Sequence, residues 1–304
     1  MSLSDFIKLP GVKAKLKREF VKPAFRVKKE LLAPVLTSDR PKIGIAFDYL
    51  VRFHANYLNP NAVSNKWVAE KSLEILNDLK NNNEVLITPS FRLTRVPKTV
   101  KMPIGFVKKC KVQKNRCYSE GKITIKNAKK TVNSYLKTGK MSNKLIISAL
   151  DLAKLDVLSM APKKPSKSDE NDADDLRKLV SIINPDLFRA DHTCVLNPNF
   201  GPKTTELMSA AGDIVIDNTL IDIKTYESLK VDREIFNQLI GYYTLYRIGG
   251  IRGMSPEKEI TKLGVYFSRH GYLHTYKIED LIDEKKYSNF IEWFKNKALE
   301  FNLP

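Results

Sequence analysis

The stretch Gly-Asp-Ile-Val-Ile-Asp-Asn-Thr-Leu-Ile-Asp-Ile-Lys-Thr, residues 212–225, sets three aspartates and a lysine among isoleucine, valine and leucine. Two apolar runs flank a polar centre, the pattern of a β-hairpin. Side chains alternate between the faces of a strand, so Asp222 and Lys224 share one face while Ile221, Ile223 and Thr225 take the other. With Asn218-Thr219 as a two-residue turn, Asp217 pairs with Leu220, Val215 with Asp222, and Asp213 with Lys224. That register gathers Asp213, Asp222 and Lys224 on one face, directly paired residues lying about 5 Å apart and diagonal ones about 7–8 Å. Carboxylates in a half-buried sheet are costly unless paired or metal-bound. An Asp213–Lys224 salt bridge is the plain structural use of this face. The chemical use is a hard cation, Mg2+ or Mn2+, shared by the aspartates, with Lys224 steadying a water or a phosphate oxygen.

The rest of the chain bounds what such a hairpin serves. Its 304 residues and 42% hydrophobic content suit a globular protein with a real core. No apolar run is long enough for a bilayer and no secretory h-region opens the chain, so the expected location is the cytoplasm, without membrane partners. Cys110, Cys117 and Cys194 have no CxxC spacing, which argues for reduced thiols and against a thiolate metal site. His54, His192, His270 and His274 show no zinc-ligand spacing, and no Walker loop is present.

The net charge of +18 is unevenly distributed, and residues 101–150 hold 13 Lys and Arg against the single acid Glu120. A one-sign field of this kind favours a polyanion such as a nucleic-acid backbone, through counterion release. A solubilising lysine-rich face would produce the same composition. Arg92, Arg95, Lys108, Lys109, Lys111 and Arg116 interleave with Phe91, Phe106 and Tyr118, which suits base stacking beside a phosphate track; core packing explains such aromatics equally well.

Four segments follow from pattern and punctuation. Residues 1–40 read as a basic helical N-terminal segment broken by Pro23 and Pro34. Residues 41–160 form a helical and basic part with an insertion, including a helix from Gly44 to Asn59 and another over roughly Ser64–Leu79. Residues 161–175, rich in Lys, Ser and Asp, read as a linker or exposed loop. Residues 176–304 carry the hairpin, a strong helix from about Asp232 to Ile248, two strands around His270-Gly271 and a terminal helix from about Ile278 to Phe301. Strands and helices intermix, which predicts an α/β fold with helical and basic additions.

On the helix after the hairpin, Gln238 and Tyr242 stand at i and i+4 and share a face. The order Asp213, Asp222-x-Lys224, Gln238-x-x-x-Tyr242 resembles the PD-(D/E)xK nuclease superfamily, and the Gln-x-x-x-Tyr element resembles its RecB-type branch. That branch carries Gly-x-x-x-His on an upstream helix; Gly44-Ile-Ala-Phe-Asp48 stands in the right order here, with aspartate in place of histidine. The resemblance implies a restriction-endonuclease-like core, a central mixed sheet flanked by helices. It implies a metal held by Asp213, Asp222, Asp48 and the carbonyl of Ile223, with Glu70, Glu206 and His192 as competitors of Asp48. Lys224, Gln238 and Tyr242 would be the catalytic group. The expected activity is Mg2+- or Mn2+-dependent hydrolysis of DNA phosphodiesters by a metal-activated water. The alternative is an inactive nucleic-acid-binding protein of nuclease fold, in a recombination, replication or defence complex.

Overall fold

The computed structural model describes residues 2–81, 85–87, 93–95, 104–160, 169–208 and 210–302, with side chains described except at 76, 79–81, 85–87, 93–95, 104–114, 157–160 and 302. The chain divides into two compact units, one of residues 1–34, 58–65 and 182–304 and one of residues 35–57 and 66–181.

In chain order the elements are α1 (Leu3–Phe6), α2 (Pro10–Glu19), α3 (Arg40–Leu58), β1 (Val63–Ser64), α4 (Val68–Asn81), β2 (Val85–Ile87), β3 (Leu93–Arg95), α5 (Ile104–Thr138), α6 (Asn143–Met160) and α7 (Glu170–Ser181). They continue with β4 (Cys194–Leu196), α8 (Pro202–Thr205), β5 (Ile214–Ile216), β6 (Thr219–Lys224), α9 (Arg233–Gly249), β7 (Lys262–Phe267), β8 (Tyr272–Lys277) and α10 (Glu284–Asn302).

The first unit is an α/β structure built on a mixed six-stranded sheet flanked by helices, in the order β1-β4-β5-β6-β7-β8. Strand β6 lies at its heart, antiparallel to β5 and parallel to β7. A parallel neighbour cannot be reached by a tight turn, and here the chain passes through α9 between the two strands. Asp232 caps α9, its carboxylate accepting the N–H of Ile235 at 2.9 Å, and Gly250 ends it with φ 72°.

One face of the sheet, with Val195, Val215, Leu220, Leu263, Val265 and Phe267, packs under α9 and α10 in a single apolar core. The N-terminal segment joins that core: Leu3, Phe6, Val12 and Leu16 are buried in it, and Phe6 meets Phe294 of α10 edge to face at 4.9 Å. Residues 1–40 are therefore not one basic helical segment. Helix ends at Glu19, and the chain to residue 34 belongs to the sheet unit. The reason is amphipathicity: the lysines of α2 occupy its outer face while its apolar residues share the core.

The second unit is helical, with α4, α5 and α6 packed on one another and a β2–β3 hairpin. Tyr49 of α3 donates its hydroxyl to the Asp156 carboxylate of α6, 3.0 Å from each oxygen, and accepts the N–H of Ala69 at 3.0 Å. Helix α4 begins at Val68, later than the periodicity predicts, because Val63–Ser64 pairs with β4 as a strand.

Residues 170–175, expected in a linker, are the first turns of α7. Asp169 and Asp172 exchange side-chain to backbone hydrogen bonds at 3.0 and 3.1 Å, a reciprocal cap at the helix start. Asp172 is also buried against Lys42 at 2.6 Å. A run of acids reads as solvated loop by composition, yet acids at a helix N-terminus are where the macrodipole favours them. Among the described residues no helix is long and apolar enough to cross a membrane.

Candidate carboxylate–lysine site

The hairpin turns at Asp217-Asn218, not at Asn218-Thr219. Ile216 pairs with Thr219 and Ile214 with Ile221, so one step further Asp213 stands opposite Asp222 rather than Lys224. Asp217 supports this turn with a left-handed φ of 50°, a conformation aspartate tolerates better than most residues. Its carboxylate accepts the N–H groups of Asp191 (3.1 Å), His192 (2.8 Å) and Thr193 (3.0 Å). Burial raises its pKa, and those amides outweigh the burial and hold it below the usual carboxylate range. Asp217 is thus a structural acid.

The shift moves each partner by two residues, which preserves the face. Asp213, Asp222 and Lys224 remain on the α9 side of the sheet, now with the two carboxylates directly across from one another. The ladder between β5 and β6 stops at Ile214. Just beyond it, Asp213 Oδ2 accepts the Ile223 N–H at 2.8 Å, replacing a main-chain partner with a side chain.

Asp222 is buried and lies 2.8 Å from the Lys224 ammonium. Burial pushes the Asp222 carboxyl up; Lys224 pulls it down, Asp213 adds to the rise, and the result is about 6. For Lys224 burial works against the charge, but Asp222 and Asp213 outweigh it and hold the ammonium well above its ordinary range.

From Lys224 a polar relay climbs onto α9. Lys224 Nζ donates to Gln238 Oε1 at 2.9 Å, and Gln238 Nε2 donates to the Tyr242 hydroxyl at 2.8 Å. Tyr242 is buried and stacks on Phe200 at 5.7 Å with the rings 20° apart. Behind the strand end, Ser268 Oγ donates to the Lys224 carbonyl at 3.3 Å. The structure thus brings Asp213, Asp222, Ile223, Lys224, Gln238 and Tyr242 together. Phe200 and Ser268 join them unannounced, since neither stands at a spacing that marks it in the sequence.

Asp48 sits half-buried on α3 of the helical unit. Of its competitors, Glu70 accepts the Trp67 N–H at 2.9 Å and pairs with Lys129 at 2.6 Å in that same unit, while Glu206 and His192 are exposed on the sheet unit. Among the described residues no group of three or more His, Cys, Asp or Glu side chains converges as a metal cluster. Arg92 and Phe91 lie outside the described residues. Arg95 falls on β3 and Lys108, Lys109 and Lys111 on α5, where only the backbone is described; Arg116, exposed on α5, pairs with Glu120 at 2.7 Å. A cavity of about 820 Å³ opens at the C-terminal end of α9 between Asn199, Tyr246 and Arg252, and none of the carboxylate–lysine group lines it.

Comparisons with family models, with curated proteins and with solved structures find no match to this chain.

Proposed function

We propose that this chain is a metal-dependent nuclease with a restriction-endonuclease-like core, hydrolysing DNA phosphodiesters at the Asp213–Asp222–Lys224 group. The observation that carries the reading is the juxtaposition of Asp213 and Asp222 across the hairpin beside a buried ammonium. A pair of facing carboxylates is a donor set that suits a hard divalent cation such as Mg2+ or Mn2+. Asp213, Asp222 and the carbonyl of Ile223 would hold it. When bound, such an ion acidifies water and neutralises charge on phosphate oxygens.

The chain's own residues supply the rest. Lys224 has three N–H donors and spends two contacts on Asp222 and Gln238, which leaves a third for a phosphate oxygen as negative charge grows there. Gln238 aims the ammonium, and Tyr242 fixes the amide orientation of Gln238. Asp213 is held in one rotamer by the Ile223 N–H, so its other oxygen is already oriented.

A second reading is a nucleic-acid-binding protein of the same fold without turnover. The observation favouring it is that Lys224 already neutralises Asp222, so the pair is complete as a structural element. One assay separates the two: purified protein with Mg2+ or Mn2+ against labelled single- and double-stranded DNA and RNA, beside Asp222→Ala and Lys224→Ala. Metal-dependent cleavage lost in both variants supports the enzyme. A wild-type protein that cuts no better than Asp222→Ala overturns it.

A further inference from the structure

Between α2 and α3 the chain runs without helix or strand, and part of it, residues 22–33, packs against β7, β8 and the turn between them, next to the strand that carries Lys224. Two anchors hold this strap. At one, Phe25 packs on Phe267 (5.7 Å) and edge to face on His274 (4.9 Å). At the other, the N–H groups of Leu32 and Ala33 donate to the Arg269 carbonyl at 2.9 and 3.1 Å, and Arg269 Nη1 donates to the Ala33 carbonyl at 3.0 Å. Both anchors adjoin the site. Phe267 is the ladder partner of Lys224, and Arg269 follows Ser268, whose hydroxyl holds the Lys224 carbonyl.

Between the anchors stand Arg26, Lys28 and Lys29, all exposed, with Glu30 the lone acid of the span. Lys29 lies 5.5 Å over the ring of Tyr272. No acid among the described residues pairs with Arg26 or Lys28. Their Cα atoms are at most about 7 Å apart, the reach of two residues of chain. A pinned row of solvent-facing cations, held by aromatic and backbone contacts rather than by acids, leaves its charge available to a polyanion. At the mouth of the same group, two residues past Lys224, Tyr226 is 54% exposed, a large ring at a position where burial would be the ordinary use of it.

We propose that residues 22–33 are a phosphate-binding strap for single-stranded nucleic acid, Arg26, Lys28 and Lys29 gripping successive phosphates while Tyr226 stacks on a base next to the reacting phosphodiester. The chemistry is that of sequence-tolerant single-strand binding, a cationic track with an aromatic platform. The strap rests on the nuclease reading only for which phosphodiester it presents; its grip on the strand stands apart from turnover.

The test measures binding in EDTA, where cleavage plays no part. Full-length protein is titrated against fluorescent oligodeoxythymidine and oligouridine over a NaCl series. Each phosphate contact on a single strand contributes about 0.7 to the slope of log K against log salt. Replacing Arg26→Ala, Lys28→Ala and Lys29→Gln together should flatten that slope by about 2. Tyr226→Ala should weaken binding about tenfold at unchanged slope, because stacking releases no counterions. A control variant losing the same charge elsewhere, Lys258→Ala with Lys285→Ala and Lys286→Ala, should move the slope by less than about 0.7. A strap variant with the wild-type slope, or a control that flattens it equally, overturns the proposal. If wild type proves unable to cut while the strap variant still loses its grip, the nuclease reading falls and the strap stands. If wild type cuts and the strap variant binds as wild type, the strap falls alone. Comparing the two oligonucleotides distinguishes DNA from RNA as the preferred strand.

Discussion

The Lys224 ammonium stands 2.8 Å from Asp222 Oδ2 with the two side chains only 12% and 3% exposed. A pair sealed from water to this degree behaves differently from a surface salt bridge, because either charge left alone has no solvent to fall back on. Lys224→Met should therefore destabilise the protein by about 3–5 kcal/mol at neutral pH. Asp222→Asn with Lys224→Met should cost much less than the sum of the single variants, measured by denaturant unfolding in EDTA. Additive losses would mean the two groups do not depend on one another.

Gln238 and Tyr242 aim Lys224 without touching phosphate in the proposed mechanism. Gln238→Leu should lower kcat by about 10–100-fold with KM little changed, a loss confined to the transition state. Tyr242→Phe keeps the stack on Phe200 and removes the 2.8 Å hydrogen bond to Gln238. It should cost less activity than Gln238→Leu and about 1 kcal/mol of stability. Equal losses in kcat and in folding for both variants would assign them a purely structural role.

In the helical unit, burial drives the Asp156 carboxyl up to about 7, against the hydrogen bond from Tyr49 and the charge of Arg52. A folded-state pKa above the unfolded value means that the folded protein binds the proton more tightly. The ionised carboxylate then costs stability above about 7, and the cost fades as pH falls towards about 4. Asp156→Asn keeps an acceptor for Tyr49 and abolishes the titration. It should stabilise the protein by about 2–4 kcal/mol at pH above 7 and by almost nothing in acid. A difference independent of pH would contradict the burial.

Gly249 and Gly201 let two backbone segments touch at the end of α9. A Cβ on Gly249 would stand 2.0 Å from the Phe200 carbonyl oxygen, and one on Gly201, whose φ is +80°, would stand 2.3 Å from the Gly249 oxygen. Neither obstacle is a side chain that could swing away. Gly249→Ala should lower stability by about 3 kcal/mol or more and displace Phe200 from Tyr242, read as lost cleavage in the residual folded protein. A variant with wild-type Tm would show that the loop yields.

The carboxylate face was legible because strand alternation is local. Asp213, Asp222 and Lys224 keep their side of the sheet even though the pairing differs from the expected one, since a shift by two residues leaves every side chain facing as before. The limits of α9 were legible too, from Asp232 at one end and Gly249-Gly250 at the other. The turn was not: Asp217 earns its left-handed place through the amides of residues 191–193, a contact no neighbouring residue advertises. The docking of α1 and α2 on α10 joins opposite ends of the chain, and Phe6 and Phe294 carry no sign of one another. The acids of α7 misled for a different reason, because composition cannot tell a solvated run from a capped helix start.

Parallel neighbours joined through a helix cross over right-handedly in nearly every known case, so the side of the sheet that receives α9 is decided by backbone chirality before any side chain is chosen. Placing Gln238 above Lys224 therefore required only that strand parity put the lysine on the side the crossover covers, and the carboxylate–lysine group inherits its handedness from the L-amino acids themselves.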